Sequence, residues 1–247
     1  MTCRRLVSVV TGAIVAALLL SGCGRIGYDG VASATPASPR LSSAPSVAAP
    51  LPPVGTAATA NAPRISVYVN PGGAVKLSLA NPRPSGGPLT FLVVQSSNGW
   101  LEVNLPDRPN GSRGWISAST VSLHGLEYNL RVSTEQNTLA LYRNNTLVKT
   151  YSVATGTGGT PSPHGSFYLT ELLAPSNAGY GPYAFGLSAY SDVLTSFGGG
   201  PGQIGLHGTD DSASIGKAVS HGCIRMSNAD ITTLATELPL GTPITIE

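Results

Sequence analysis

Cysteine is nearly absent from the chain. Its 247 residues include three, at positions 3, 23 and 223. Charge is scarce as well: Asp, Glu, Lys and Arg make up 11% of the residues, with 14 basic against 12 acidic. Arg4 and Arg5 lie in an N-terminal leader, so the remainder is formally neutral. Without concentrated positive charge the chain lacks what nucleic-acid binding requires, and no polybasic run is present to hold an anionic membrane surface. A membrane-spanning run is missing too. The apolar stretch at residues 7–20 would make a helix of about 21 Å, short of the ~30 Å needed to cross a hydrocarbon core.

What stands at the N-terminus instead has the form of an export signal, with Arg4 and Arg5 as its positive region and residues 7–20 as its apolar region. It ends in Leu20-Ser21-Gly22-Cys23, which resembles the bacterial lipobox. That resemblance implies a lipoprotein signal over residues 1–22, acylation of Cys23, and an exported protein held on a membrane by its anchor, facing the cell wall. Cys3 then leaves with the signal and Cys23 carries lipid. Cys223 is the one thiol left for a folded domain. In an oxidising compartment an unpaired thiol is exposed to damage, so it is either buried and inert or kept for its reactivity.

From 23 to 63 the chain is dominated by Ala, Ser, Pro, Gly and Thr, without an aromatic after Tyr28. Such a segment buries too little apolar surface to offset its ordering entropy and reads as a flexible tether. Beyond it, short apolar runs broken by Gly, Pro, Asn and Asp predict a mainly β protein in two blocks. The first, 64–125, contains Ile65-Ser66-Val67-Tyr68-Val69, a run from Leu89 to Val94, and Trp100-Leu101-Glu102-Val103. With Gly114-Trp115-Ile116, these residues resemble a small SH3-like β-barrel of the kind found on bacterial cell-wall enzymes. The tryptophans suit core packing or a ligand groove. The second block, 126–247, alternates at Tyr128, Leu130 and Val132, and has an Asn144-Asn145 hairpin turn. Ser227 with Asp230 predicts the cap of a short helix reaching Glu237, and Ile244-Thr245-Ile246 predicts a last strand.

The second block also holds the chemistry. A cysteine nucleophile needs a base, a group that orients the base, and donors where charge develops on a carbonyl oxygen. His221 is two residues before Cys223, which suits a substrate-side or oxyanion role. His207 ends the strand candidate Ile204-Gly205-Leu206 and can approach from a neighbouring strand, about 5 Å away. Gly222 permits a tight turn that would aim its own N–H and that of Cys223 at one oxyanion. Among the other histidines, His164 lies in a Pro/Gly loop and His124 at the junction of the blocks. His207, His221 and Cys223 are also zinc-competent, but with no further cysteine and an awkward His-to-Cys spacing no metal or cofactor is expected.

Ile204-Gly205-Leu206-His207-Gly208-Thr209, sixteen residues ahead of the cysteine in Ser220-His221-Gly222-Cys223-Ile224-Arg225-Met226, resembles the catalytic signature of L,D-transpeptidases of the YkuD type. Thr160-Pro161-Ser162-Pro163-His164-Gly165 is similar to that family's proline-rich strand entry. The resemblance implies a β-sandwich catalytic domain acting on peptidoglycan stem peptides. Cys223 would attack the third stem residue and expel D-Ala, with His207 as base held by the Gly208 carbonyl. Ser220, His221, Gly222 and Arg225 would serve oxyanion or substrate binding, and carbapenem-type β-lactams would acylate the thiol. An amine of a second stem would then resolve the acyl-enzyme into a link between third residues.

Arg225 departs from the Asn of many relatives. It suits either a substrate carboxylate or an internal acid, Asp210 or Asp211. Tyr180-Gly181-Pro182-Tyr183-Ala184-Phe185 reads as a lid or as a loop packed on the core. Three alternatives stand beside the transpeptidase: an L,D-carboxypeptidase, protein attachment to peptidoglycan through the same acyl-enzyme, and a wall-binding lipoprotein without activity.

Overall fold

Strand-forming runs and their turns account for most of the architecture. The computed structural model describes residues 54–197 and 199–247. The segments read as export signal and as tether up to residue 53, Cys23 among them, lie outside the described residues. The described residues all fall in one compact unit. Its first seven strands are β1 (Gly55–Ala60), β2 (Arg64–Tyr68), β3 (Val75–Ala80), β4 (Thr90–Ser97), β5 (Trp100–Asn104), β6 (Arg113–Ser117) and β7 (Val121–Leu126). They make a wholly antiparallel sheet in the order β3-β2-β6-β5-β4-β1-β7.

Two features of this sheet differ from the expectation. Strand β1 lies inside the segment read as tether, between β4 and β7. Its Ala57 and Ala58 are fully buried, and a side chain at Gly241 would meet the Ala57 Cβ at 2.5 Å. Close packing against the 239–243 turn demands small residues, so a true strand acquires the composition of a linker. The tryptophans are not in the core. Ile65, Val67, Phe91, Leu101, Val103 and Ile116 fill it, while Trp100 and Trp115 are half-buried on the opposite face. Trp115 is cross-strand partner to Tyr68 and Glu102, and Trp100 packs edge-on to Tyr68 at 5.0 Å.

The second sheet is built from β8 (Tyr128–Ser133), β9 (Thr138–Arg143), β10 (Thr146–Ser152), β12 (Gly165–Leu173), β13 (Ala184–Tyr190), β14 (Gln203–His207), β16 (Ile224–Arg225) and β17 (Pro243–Ile246). Its order is β10-β9-β8-β17-β12-β13-β14-β16, and β11 (Thr155–Gly156) pairs separately with β15 (Ala218–Ser220). The β9–β10 hairpin turns at Asn144 and Asn145, with φ of 50° and 63°, the left-handed pair that a two-residue turn needs. The last strand inserts between β8 and β12 and runs parallel to β8. Helix α1 (Asn228–Glu237) is capped by the Ser227 hydroxyl, which accepts from the Asp230 N–H at 3.1 Å. The protein is mainly β. Among the described residues no helix is long and apolar enough to cross a membrane.

The two sheets meet through polar contacts. The Tyr190 hydroxyl donates to the Pro106 carbonyl at 2.8 Å and that of Tyr168 to Asn104 at 3.2 Å. Arg83 pairs with Glu171 at 3.1 Å.

Candidate active site

Strands β14 and β16 run parallel, with His207 beside Arg225 and Leu206 beside Ile224. This register sets Cys223, the residue before β16, alongside Gly205. The Gly205 N–H lies 3.4 Å from Cys223 Sγ and points at it. Residues 205 and 207 share a face of β14, so the imidazole and the thiol open onto the same space although sixteen residues separate them.

His207 is 3% exposed, and its Nδ1 lies 2.6 Å from the Gly208 carbonyl. A carbonyl oxygen only accepts, so Nδ1 carries the proton and Nε2 keeps its lone pair. The Tyr180 ring packs at 4.7 Å on the imidazole. Burial pushes the imidazole down to about 4, opposed by the Gly208 carbonyl and reinforced by the Arg225 charge. Burial pushes the Cys223 thiol up, opposed by the Gly205 N–H and Arg225. Both shifts favour the neutral form of each group in the neutral pH range.

The turn before Cys223 is held by two buried hydroxyls. Ser220 Oγ donates to the Cys223 carbonyl at 2.5 Å and accepts the Gly222 N–H at 3.1 Å. Ser162 Oγ donates to the Gly222 carbonyl at 2.8 Å and accepts the Gly156 N–H at 3.0 Å. Gly222 has φ +117°, and a Cβ there would meet Ile204 at 3.0 Å. This corrects one expectation. The Gly222 N–H is engaged by Ser220, so of the two donors expected to face an oxyanion only the Cys223 N–H remains. Because Ser162 anchors the carbonyl of the 222–223 peptide, it fixes the direction of that N–H on the far edge of the same plane. Ser162→Ala is expected to lower kcat about tenfold with KM little changed, since only a transition-state donor loses its aim; steady-state kinetics checks it.

Two cavities meet at the sulfur. The larger, about 380 Å³, runs from Cys223 and His207 past Tyr180, Phe185 and Ile204 to Glu171. The smaller, about 250 Å³, is lined by His221, Arg225 and Phe197 as well as His207 and Cys223. Phe197 stacks on His221 at 5.3 Å. Of the two partners open to Arg225, the internal acids are not used. Asp210 and Asp211 are exposed, no ion pair joins them to Arg225 among the described residues, and Arg225 Nε is buried without a hydrogen-bond partner. His164 lies on the surface, bonded to Thr134 at 3.0 Å, and His124 is exposed on β7. The aromatic segment divides: Tyr180 covers the imidazole, whereas Phe185 is fully buried at the start of β13.

Residues 127–246, the whole of the second sheet from β8 to β17, match the model of the L,D-transpeptidase catalytic domain family YkuD. The protein named L,D-transpeptidase YkuD of Bacillus subtilis (strain 168) is 36% identical over 148 residues, 58% of this chain and 83% of that protein. The chain belongs to the YkuD family of L,D-transpeptidases. The Bacillus licheniformis protein of the same name is 38% identical over 121 residues, 49% of this chain and 66% of that one. A solved L,D-transpeptidase from Mycobacterium tuberculosis is similar at 13% identity, with a TM-score of 0.43 over 64% of this chain and 90% of that one.

Within this catalytic domain, several residues of the site escaped the motifs. The Gly205 N–H is a backbone group and leaves no mark in side-chain chemistry. Ser162 stood inside the Pro-rich run, but its partner Gly222 is 60 residues away. Phe197, Gln203 and Glu171 come from strands and connections outside both signature runs.

Proposed function

We propose that this chain is a peptidoglycan L,D-transpeptidase working through a cysteine acyl-enzyme. The observation that carries the reading is the partly exposed thiol of Cys223 beside a buried imidazole with its free lone pair on Nε2, where two cavities meet. As His207 Nε2 takes the thiol proton, Cys223 Sγ attacks the carbonyl of the third residue of a tetrapeptide stem. The Gly205 N–H stabilises the forming thiolate, and the Cys223 N–H faces the oxyanion. Collapse breaks the C–N bond, His207 returns its proton to the departing D-Ala, and a thioester remains. The side-chain amine of a second stem attacks the thioester, the new C–N bond replaces C–S, and sulfur is released as thiol.

The smaller cavity favours this acceptor over water, because it offers room for a second peptide next to the sulfur. Its unpaired Arg225 suits a substrate carboxylate. Incubation with tetrapeptide-stem muropeptides tests the reaction: D-Ala and stem dimers linked at third residues are expected, and D-Ala without dimers would assign a carboxypeptidase instead.

Export and lipid anchoring at Cys23 belong to the same proposal, supported by the Arg4-Arg5 leader, the short apolar run and Leu20-Ser21-Gly22-Cys23. Cys23→Ala is expected to move the protein from the membrane fraction to the soluble fraction of the producing cell, read by fractionation. The first sheet, with its outer Trp100, Trp115 and Tyr68, would serve as an SH3-like wall-facing module.

A further inference from the structure

A cluster of carbonyls beside the second sheet is filled by a side chain from the first. The connection between β13 and β14, residues 191–202, carries glycines at 198, 199, 200 and 202. Its own bonds close it at the neck and near the tip. The Ser191 N–H donates to the Gly202 carbonyl at 2.9 Å, and Phe197 and Gly200 exchange backbone bonds at 3.0 and 2.9 Å. At the neck the carbonyls of Ser191, Leu194 and Pro201 converge, and Arg108 Nη2 lies 2.9, 3.3 and 3.2 Å from them. The two hydrogens of that nitrogen are shared among three acceptors. Gly202 has φ +73°, and a Cβ there would run into the Leu194 carbonyl oxygen and come within 3.3 Å of Arg108 Nη2. Only glycine lets the neck close around the guanidinium.

Arg108 belongs to the β5–β6 connection, and its neighbours grip the same place. The Asn110 amide pairs with the backbone of Tyr190 as a strand would: Nδ2 donates to the carbonyl at 2.8 Å and Oδ1 accepts the N–H at 2.9 Å. The Arg108 guanidinium also sits 5.1 Å over the Tyr190 ring. At the far end of the 191–202 connection, Phe197 stacks on His221 and lines both cavities beside Cys223. Phe197 is 42% exposed, so its ring is not locked into the core, and its place depends on the backbone that carries it. The reacting groups are held by other means. The Gly205 N–H faces Cys223, the Gly208 carbonyl holds His207, and Ser220 fixes the turn before the thiol. None of these contacts involves residues 191–202.

We propose that Arg108 is a positioning residue for the transpeptidase reaction: by filling the carbonyl cluster at 191, 194 and 201 it holds Phe197 against His221, as a wall shared by both cavities. Asn110 supports it by fixing Tyr190, from which the connection departs. The first sheet thereby takes part in building the active site from a distance, through one side chain on one loop. The inference rests on the proposed reaction. Without the guanidinium the three carbonyls lose a charge-assisted partner that fits them all at once. Water can solvate each carbonyl but cannot hold the three together. The glycine-rich connection then gains other conformations, and Phe197 leaves His221 for part of the time. A peptide stem that packs on this wall binds less well, whereas the thiol and the imidazole keep their geometry.

Full-length Arg108→Ala tests this in three measurements. Arg108 is exposed outside the carbonyl cluster, so its truncation removes no core packing. The kcat/KM for D-Ala release from a tetrapeptide stem is expected to fall about tenfold, the scale of one or two net hydrogen bonds. The loss should lie mainly in KM, because binding is weakened and the chemistry is not. Alkylation of Cys223 by iodoacetamide needs the thiol but no peptide site, and should proceed at the wild-type rate or faster. The third measurement is a double-mutant cycle. Because Arg108 acts through Phe197, Arg108→Ala should cost nothing further in a Phe197→Ala background. An unchanged kcat/KM in Arg108→Ala, alkylation slowed in step with turnover, or costs that add in the double variant would overturn the positioning role and leave the transpeptidase reading intact. No D-Ala from the wild type would overturn that reading and this inference with it.

Discussion

Cys223→Ala is expected to release no D-Ala above background from tetrapeptide stems and to form no stem dimers. The expectation follows from the geometry around the sulfur. Nothing else described as lining the two cavities is a nucleophile with a base beside it: Tyr180 packs on the imidazole by its ring, and the nearby Ser220 and Ser162, which line neither cavity, spend their hydroxyl protons on the Cys223 and Gly222 carbonyls. Removing Sγ therefore removes the atom that would become covalent in the proposed reaction. Cys223 is partly exposed rather than core, so the loss should come with little change in thermal unfolding. Residual activity at even a few per cent of wild type would mean that another group forms the acyl intermediate.

His207→Gln should cost about 10²–10⁴-fold in kcat, the range a positioned base contributes, while the thiol stays in place. The same residue sets two pH responses. Burial holds its imidazole at about 4, so the base is unprotonated through the neutral range. The acid limb of kcat/KM should fall nearer pH 4 than the ordinary histidine value of about 6.5. Stability follows with a definite sign. Between pH 6.5 and 4 the unfolded chain binds a proton at this histidine and the folded chain does not, so stability decreases as pH falls through that window. The 2.5-unit interval corresponds to about 3 kcal/mol at full extent. His207→Gln should flatten this part of the stability profile, as read by urea unfolding at pH 4.5 and 7. An unchanged slope would assign the acid sensitivity to another group.

Much of the site could be read from the sequence, for a physical reason. A nucleophile and a base with fixed side-chain chemistry leave short signatures, and the His207 and Cys223 runs fall on adjacent parallel strands. The helix cap at Ser227 and the Asn144-Asn145 turn are local motifs whose partners lie within a few residues. What stayed hidden depends on contacts distant in the chain or on the backbone. Strand β1 looks like tether because Gly241 forces small residues against Ala57. The engagement of the Gly222 N–H follows from the rotamer of Ser220, and Glu171 comes to line the same cavity as the thiol only through the pairing of three strands. The tryptophans are the exception. Alternation along Trp100-Leu101-Glu102-Val103 already places Trp100 on the side of Glu102, away from the buried Leu101 and Val103.

In the proposed reaction Cys223 carries the acyl group. Intact-mass measurement after mixing the folded protein with a tetrapeptide stem, acid-quenched within a turnover, tests it most directly. A mass increase equal to the stem minus D-Ala, mapped by digestion to the peptide containing Cys223 and absent from Cys223→Ser, is the predicted result. Release of D-Ala from wild type with no adduct on that peptide, or an adduct at another residue, would contradict it.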